Sequence, residues 1–204
     1  MRIERILFYI AVTVCIAGRL DPAYAVPVYI YGGDFSLPIP QDAGDTKGWM
    51  EDAVIEIGEH RTIYDLDLLV NITHSNAFDL QLYLQSPAGT RICLNSYGIN
   101  EFFKGENYTQ TIFDDEAAFS IKEGQAPFTG RFRPMEPYQL SAFDGEDIFG
   151  IWKLQVYDAF YADRGTLNHF ELIISVPEPS SLIQFAICLL FIPTLRLRQK
   201  GQAC

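Results

Sequence analysis

Between Ala53 and Ser175 apolar residues recur mostly at every second position, as in Ile63, Leu66, Leu68, Val70 and Ile72 and again in Leu80, Leu82 and Leu84. Alternate side chains of a strand point to opposite faces, so this period predicts strands with one face buried. Turn signals interrupt the runs at His60, Ser86-Pro87-Ala88-Gly89, Glu123-Gly124, Asp144-Gly145 and Asp163-Arg164-Gly165. Short strands spaced in this way predict an all-β, antiparallel sandwich. No amphipathic helix is evident in this region. Gly150-Ile151-Trp152-Lys153-Leu154-Gln155-Val156 places Trp152, Leu154 and Val156 on one face, which assigns Trp152 to the core. Residues 26–47 are irregular and rich in Pro, Gly and Asp, and 26–35 read as a linker feeding the first strand.

The two ends have a different pattern. Arg2 and Arg5 precede an apolar run, Ile6 to Ala17, followed by Ala23-Tyr24-Ala25. That order predicts a signal peptide over 1–25, cleaved after Ala25, because a run of about 12 residues is too short to span a bilayer. At the other end Val176-Pro177-Glu178-Pro179-Ser180-Ser181-Leu182 leads into an apolar stretch to Leu195 and then Arg196, Arg198 and Lys200. Proline ends the preceding strand, the apolar stretch inserts, and the basic residues stay cytoplasmic. The segment 177–204 resembles a PEP-CTERM sorting signal, the tripartite tail processed by bacterial exosortases near Pro177, Glu178 and Pro179. The resemblance implies an exported protein, in the bacterial envelope or outside the cell, held at least transiently by its tail. An ordinary tail anchor is the alternative.

The chain of 204 residues allows one ordinary domain plus these appendages. Its net charge is −11, and residues 26–176 hold nine basic against 23 acidic residues, so the charge belongs to the body. That field repels nucleic acid and suits cations. Cys93 is the lone cysteine between the two end segments, so no disulfide can form within the body, and its strand-like setting assigns it to the core.

A long series of ordered motifs fills the body: Gly48-Trp49, His74, Asp79-Leu80-Gln81-Leu82-Tyr83-Leu84-Gln85-Ser86-Pro87-Ala88-Gly89-Thr90, Asn107 to Ala117, Ala126-Pro127-Phe128-Thr129-Gly130, Phe143-Asp144-Gly145, Gly150-Ile151-Trp152-Lys153-Leu154 and Gly165-Thr166-Leu167. Residues 36–176 closely resemble the P domain, or Homo B domain, of proprotein convertases and bacterial subtilisin-like proteases. The resemblance implies a β jelly roll that accompanies a protease domain without holding its catalytic triad. No stretch of the chain resembles that triad's motifs.

Chemistry is therefore expected at carboxylates. Calcium takes six to eight oxygens, and Asp114-Asp115-Glu116 is the densest acidic cluster, while Asp79, Asp158 and Asp163 lie beside turns at sheet ends. Asp79, Asp114, Asp115 and Asp158 are the candidate Ca²⁺ ligands, against a solvated acidic surface as the alternative. Calcium binding by some P-domain proteases agrees with this choice. One cysteine and unpaired histidines disfavour zinc. The sequons at Asn71 and Asn107 read as incidental, and His60, His74 and His169 as structural. The expected function is that of a non-catalytic binding or structural module at the envelope, binding a polysaccharide or a protein. The alternative is an accessory that stabilises or targets a separately encoded secreted protease.

Overall fold

A computed structural model describes residues 26–42, 47–96 and 104–177. The predicted signal peptide with Ala23 and Ala25, and the tail with Glu178 and Pro179, lie outside the described residues; Pro177 is exposed at their end. Among the described residues no helix is long and apolar enough to cross a membrane.

Ten strands form among these residues: β1 Val28–Ile39, β2 Gly48–Trp49, β3 Ala53–Ile57, β4 Asp65–His74, β5 Leu80–Gln85, β6 Arg91–Asn95, β7 Tyr108–Phe113, β8 Phe128–Phe132, β9 Gly150–Asp158 and β10 Gly165–Ser175. One sheet has the order β1-β10-β4-β7-β8, and the other has β2-β9-β5-β6 with β3 also on β9. The expected all-β sandwich is present. Its core lies between the sheets, where Leu66, Leu68, Val70 and Ile72 of β4 and Leu167, Phe170, Leu172 and Ile174 of β10 meet Leu80, Leu82 and Leu84 of β5 and Trp152, Leu154 and Val156 of β9. Each set sits at period two, except for the three-residue step from Leu167 to Phe170 at a register shift in β10, so burial follows from the pleat.

The linker assigned to 26–35 is incorrect. Val28–Ile39 is a 12-residue edge strand, antiparallel to β10 from Val28↔Ser175 to Ile39↔Gly165, with a register shift between Asp34 and Leu37. Tyr31, Phe35 and Leu37 pack on the core while Val28 and Ile30 face solvent. At Gly32 a Cβ would collide with the Glu171 side chain and the Phe170 carbonyl, so the glycine that makes the segment look irregular permits its close pairing.

β7 and β8 pair in parallel, which departs from a wholly antiparallel sandwich. A parallel pair needs a long crossover. Here it contains a 3₁₀ turn, Ile121–Glu123, fixed by a capping box in which the Glu123 carboxylate accepts the Ser120 N–H at 2.8 Å.

Two expected residues behave as their types require. Gly89 closes the β5–β6 turn at φ +95°, in the left-handed region that glycine tolerates. Cys93 is buried, but on the outer side of its sheet near Tyr83 and apart from the central cluster; burial pushes its thiol above the usual range.

His169 fastens β1 to β10. Its Nδ1 lies 2.7 Å from Asp34 and its Nε2 2.9 Å from Glu171. Partial desolvation lowers its pKa, but the two carboxylates outweigh that and raise it above the ordinary 6.5. The folded chain therefore binds this proton more tightly than the unfolded chain does. The resulting stability is complete below about pH 6.5 and disappears as pH climbs through the raised value. His169→Gln is expected to flatten this part of the pH–stability curve, which urea unfolding from pH 5.5 to 8.5 would show as a smaller fall in midpoint.

Candidate cation sites at the two ends of the sandwich

The four carboxylates nominated from the sequence do not come together. β4 runs from Asp65 to His74, roughly 30 Å at about 3.3 Å per residue. Asp114 and Asp115 lie near its start, and Asp79 and Asp158 near its end. One ion cannot bridge that span.

At the Asp65 end, oxygens of Asp65, Asp67 and Glu116 lie within 4.8 Å of one another, a grouping able to hold a metal ion. Asp65 and Asp67 alternate with the buried Leu66 and Leu68 and so share the outward face of β4. Burial, assisted by nearby like charges, raises the pKa of both, while a hydrogen bond from Arg131 opposes the rise at Asp67. Arg131 Nη1 reaches Asp67 at 2.8 Å and Asp114 at 2.5 Å. At Asp114, burial acts upward, but the guanidinium and the Glu116 N–H prevail and hold the carboxyl below its usual range. Asp114 is thus committed mainly to Arg131. Asp115 is committed too, since its two oxygens accept the N–H groups of Leu140 and Ser141 at 2.9 and 2.8 Å. These bonds satisfy orphan donors at the start of the 3₁₀ turn Leu140–Phe143.

At the His74 end, Asp158 is sealed from solvent. Its Oδ2 lies 3.3 Å from His74 Nε2 and its Oδ1 accepts the Phe160 N–H at 3.1 Å. The carboxylate requires a donor, so Nε2 carries a proton and donates to it. His74 Nδ1 faces Asn76, with the carbonyl at 2.9 Å and the N–H at 3.2 Å. Gly165 makes this packing feasible, because a Cβ there would strike the Thr73 carbonyl and the His74 ring.

Asp79 has a different surrounding. Its Oδ1 accepts from Asn76 Nδ2 at 2.8 Å, but its Oδ2 and Asn76 Oδ1 are buried without a donor. Burial and the adjacent Asp163 carboxylate push Asp79 up to about 6. Asp163 also accepts the Ser75 hydroxyl at 2.7 Å. Orphaned oxygens facing a second carboxylate form the oxygen-rich donor set that a hard cation takes. The residues at this end fit calcium on that ground.

Sequence reading therefore missed Asp65, Asp67 and Asn76, and placed Asp163 at a sheet-end turn without nominating it. Asp65 and Asp67 were legible, since they occupy the outward positions of a run whose inward positions are Leu66 and Leu68. Asn76 and Asp163 are 87 residues apart in sequence, and only the pairing of β4 with β10 joins their turns.

The histidines do not make a hydrolytic site among the described residues. His74 is sealed with Asp158, His169 is held between Asp34 and Glu171, and His60 stacks on Phe149 at 4.1 Å while contacting Asp147 at 2.7 Å. None of the three rings bonds a serine hydroxyl. The sequon asparagines serve the backbone, Asn107 Oδ1 accepting the His74 N–H at 2.9 Å and Asn71 Oδ1 the Gln110 N–H at 2.6 Å.

The described residues thus form an all-β sandwich with acidic clusters at both ends and one sealed histidine, His74. Residues 63–174, more than half of the chain, match the family described as the proprotein convertase P-domain, and the chain belongs to that family. Two similar solved structures are the serine protease of Aeromonas sobria in complex with the chaperone ORF2, at 18% identity and a TM-score of 0.47, and the serine protease of Aeromonas sobria by itself, at 18% and 0.46. The matches cover 81% and 80% of this chain and 29% of each of those chains.

Proposed function

We propose that this chain is an exported, non-catalytic P-domain module that acts by binding at the bacterial envelope. The observation that carries the reading is the state of its histidines, each committed to carboxylates or sealed in the core within a P-domain sandwich. Export and surface sorting rest on the sequence patterns at the two ends, with an exosortase as the processing partner at Pro177, Glu178 and Pro179. The purified full chain is expected to sediment with purified envelope and to show no turnover of fluorogenic peptides. Measurable peptidase activity, lost on no treatment but serine-hydrolase inhibition, would overturn the reading.

Family membership favours a second reading, in which the module stabilises or targets a separately encoded secreted serine protease. Recovery of a fluorophosphonate-reactive protein with the tagged chain, in place of envelope polysaccharide, would select it.

Calcium is the proposed cofactor in either case, and Asp79 with Asn76 and Asp163 offers the better-fitting oxygens. Its chemistry would be electrostatic, joining the turns that end β4 and begin β10. At about 100 times its dissociation constant, calcium would add about 2.7 kcal/mol, or roughly 5 to 10 °C in melting midpoint. Melts of the full chain in millimolar calcium and in chelator are expected to differ by that amount. Asp79→Asn should abolish the difference and Asp67→Asn should preserve it. An unchanged midpoint would retire the metal, and the reverse mutational pattern would move it to the Asp65 end.

A further inference from the structure

The outer face of the β2-β9-β5-β6 sheet carries aromatic rings where a solvated strand face ordinarily carries charge. Trp49 of β2 is 48% exposed. Its ring centroid lies 4.9 Å from that of Tyr157 on β9 and 6.0 Å from that of Tyr83 on β5. The Arg91 guanidinium of β6 stacks over Tyr83 at 3.7 Å and reaches over Trp49 at 5.8 Å. Four strands thus contribute to one patch.

Amide groups are interleaved with these rings and are held in place. The Tyr83 hydroxyl donates to Gln81 Oε1 at 3.1 Å, and Arg91 Nε donates to Gln155 Oε1 at 2.7 Å. Gln155 Nε2 in turn donates to Asp52 at 3.1 Å, and Lys153 holds the other oxygen of Asp52 at 3.0 Å. Such a network fixes rotamers before any ligand arrives, which lowers the entropic cost of binding. It leaves the second amide hydrogen of Gln155 and the Arg91 Nη donors to meet incoming oxygens.

The charge of the patch narrows its occupant. Lys153 and Asp52 cancel, so among the described residues Arg91 is the one uncompensated charge at the centre, in a chain of net charge −11. A polyanion would meet the repulsion of the whole acidic body, while a neutral chain meets none. Ring faces beside fixed amide donors and acceptors complement a pyranose, which has an apolar C–H face and a rim of hydroxyls. We propose that this face, centred on Trp49, binds a neutral polysaccharide, with a sugar ring against Trp49 and Tyr157 and its hydroxyls bonded to Gln81, Gln155 and Arg91. The proposal rests on the envelope-binding reading and names the ligand class for it.

The test is native electrophoresis of the full chain through gels containing galactomannan, mixed-linkage β-glucan or dextran, with alginate as the acidic counterpart. Retardation is expected in at least one neutral gel. Trp49→Ala should weaken it by about tenfold or more. Gln155→Ala and Arg91→Ala provide a second reading if the tryptophan variant melts below the wild type. Phe119→Ala, an exposed aromatic change away from this face, should have no effect. Retardation that survives all three face substitutions, or that occurs in alginate alone, would overturn the proposal. So would a chain that sediments with envelope but is retarded by no neutral polysaccharide, an outcome that leaves the envelope reading standing. A chain that does neither would overturn both.

Discussion

Replacing Trp152 with alanine is expected to lower stability by about 3 to 5 kcal/mol, the usual cost of emptying a buried aromatic site. Trp152 is 0% exposed on β9, meets Phe143 edge-on at 5.3 Å, and donates its indole N–H to the Ile148 carbonyl at 3.0 Å. Alanine would leave both a cavity between the sheets and an acceptor without its donor. For a domain of this size the melting midpoint should fall by roughly 10 °C or more. Trp152→Phe retains most of the volume but loses the hydrogen bond, and should cost less. A loss below about 1 kcal/mol for the alanine variant would show that the Phe143 turn closes over the site, contrary to a rigid core.

The second large effect is expected at Asp158. Removing the acceptor of a buried hydrogen bond costs about 1 to 3 kcal/mol, because the donor stays buried without a partner, and two donors lose theirs here. Asp158→Ala would leave the His74 Nε2 proton unpaired in a site where both side chains are 0% exposed, and would free the Phe160 N–H as well. Asp158→Asn keeps one acceptor oxygen, enough for one of the two donors, and should lose less than alanine but more than nothing. A double-mutant cycle with His74→Ala separates the pair from other contacts, since a coupling near zero would show that the two residues stabilise the turns independently. The measurement is urea unfolding near pH 7 with chelator present, so that any ion at Asp79 does not contribute.

Much of this was legible in the sequence because it depends on near neighbours. The period-two runs in 66–72, 80–84 and 152–156 became β4, β5 and β9 with those residues inside. The Ser86 to Gly89 turn and the burial of Trp152 followed from residue type and alternation. β1 was not legible, because Gly32 and Gly33, with Pro38 and Pro40 close by, give 26–40 the composition of a loop. Its pairing partner, β10, lies more than 120 residues further on and supplies the missing information. The acidic sites failed for a related reason. Density along the chain favoured Asp114 and Asp115, yet Arg131 and the 3₁₀ turn at Leu140 engage those two, while Asp79 keeps one buried oxygen without a donor.

The sequence by itself determined the strand class, the acidic body and the family, since local alternation, composition and ordered motifs need no knowledge of which strands meet. Tertiary structure decided the rest. Register across β4, β10 and β9 brings Asn76, Asp79 and Asp163 to one end and sends Asp65, Asp67 and Glu116 to the other, and it assembles Trp49, Tyr83, Tyr157 and Arg91 from four strands onto one face. A strand's pleat fixes the face on which each side chain emerges, but only pairing between distant strands fixes its neighbours.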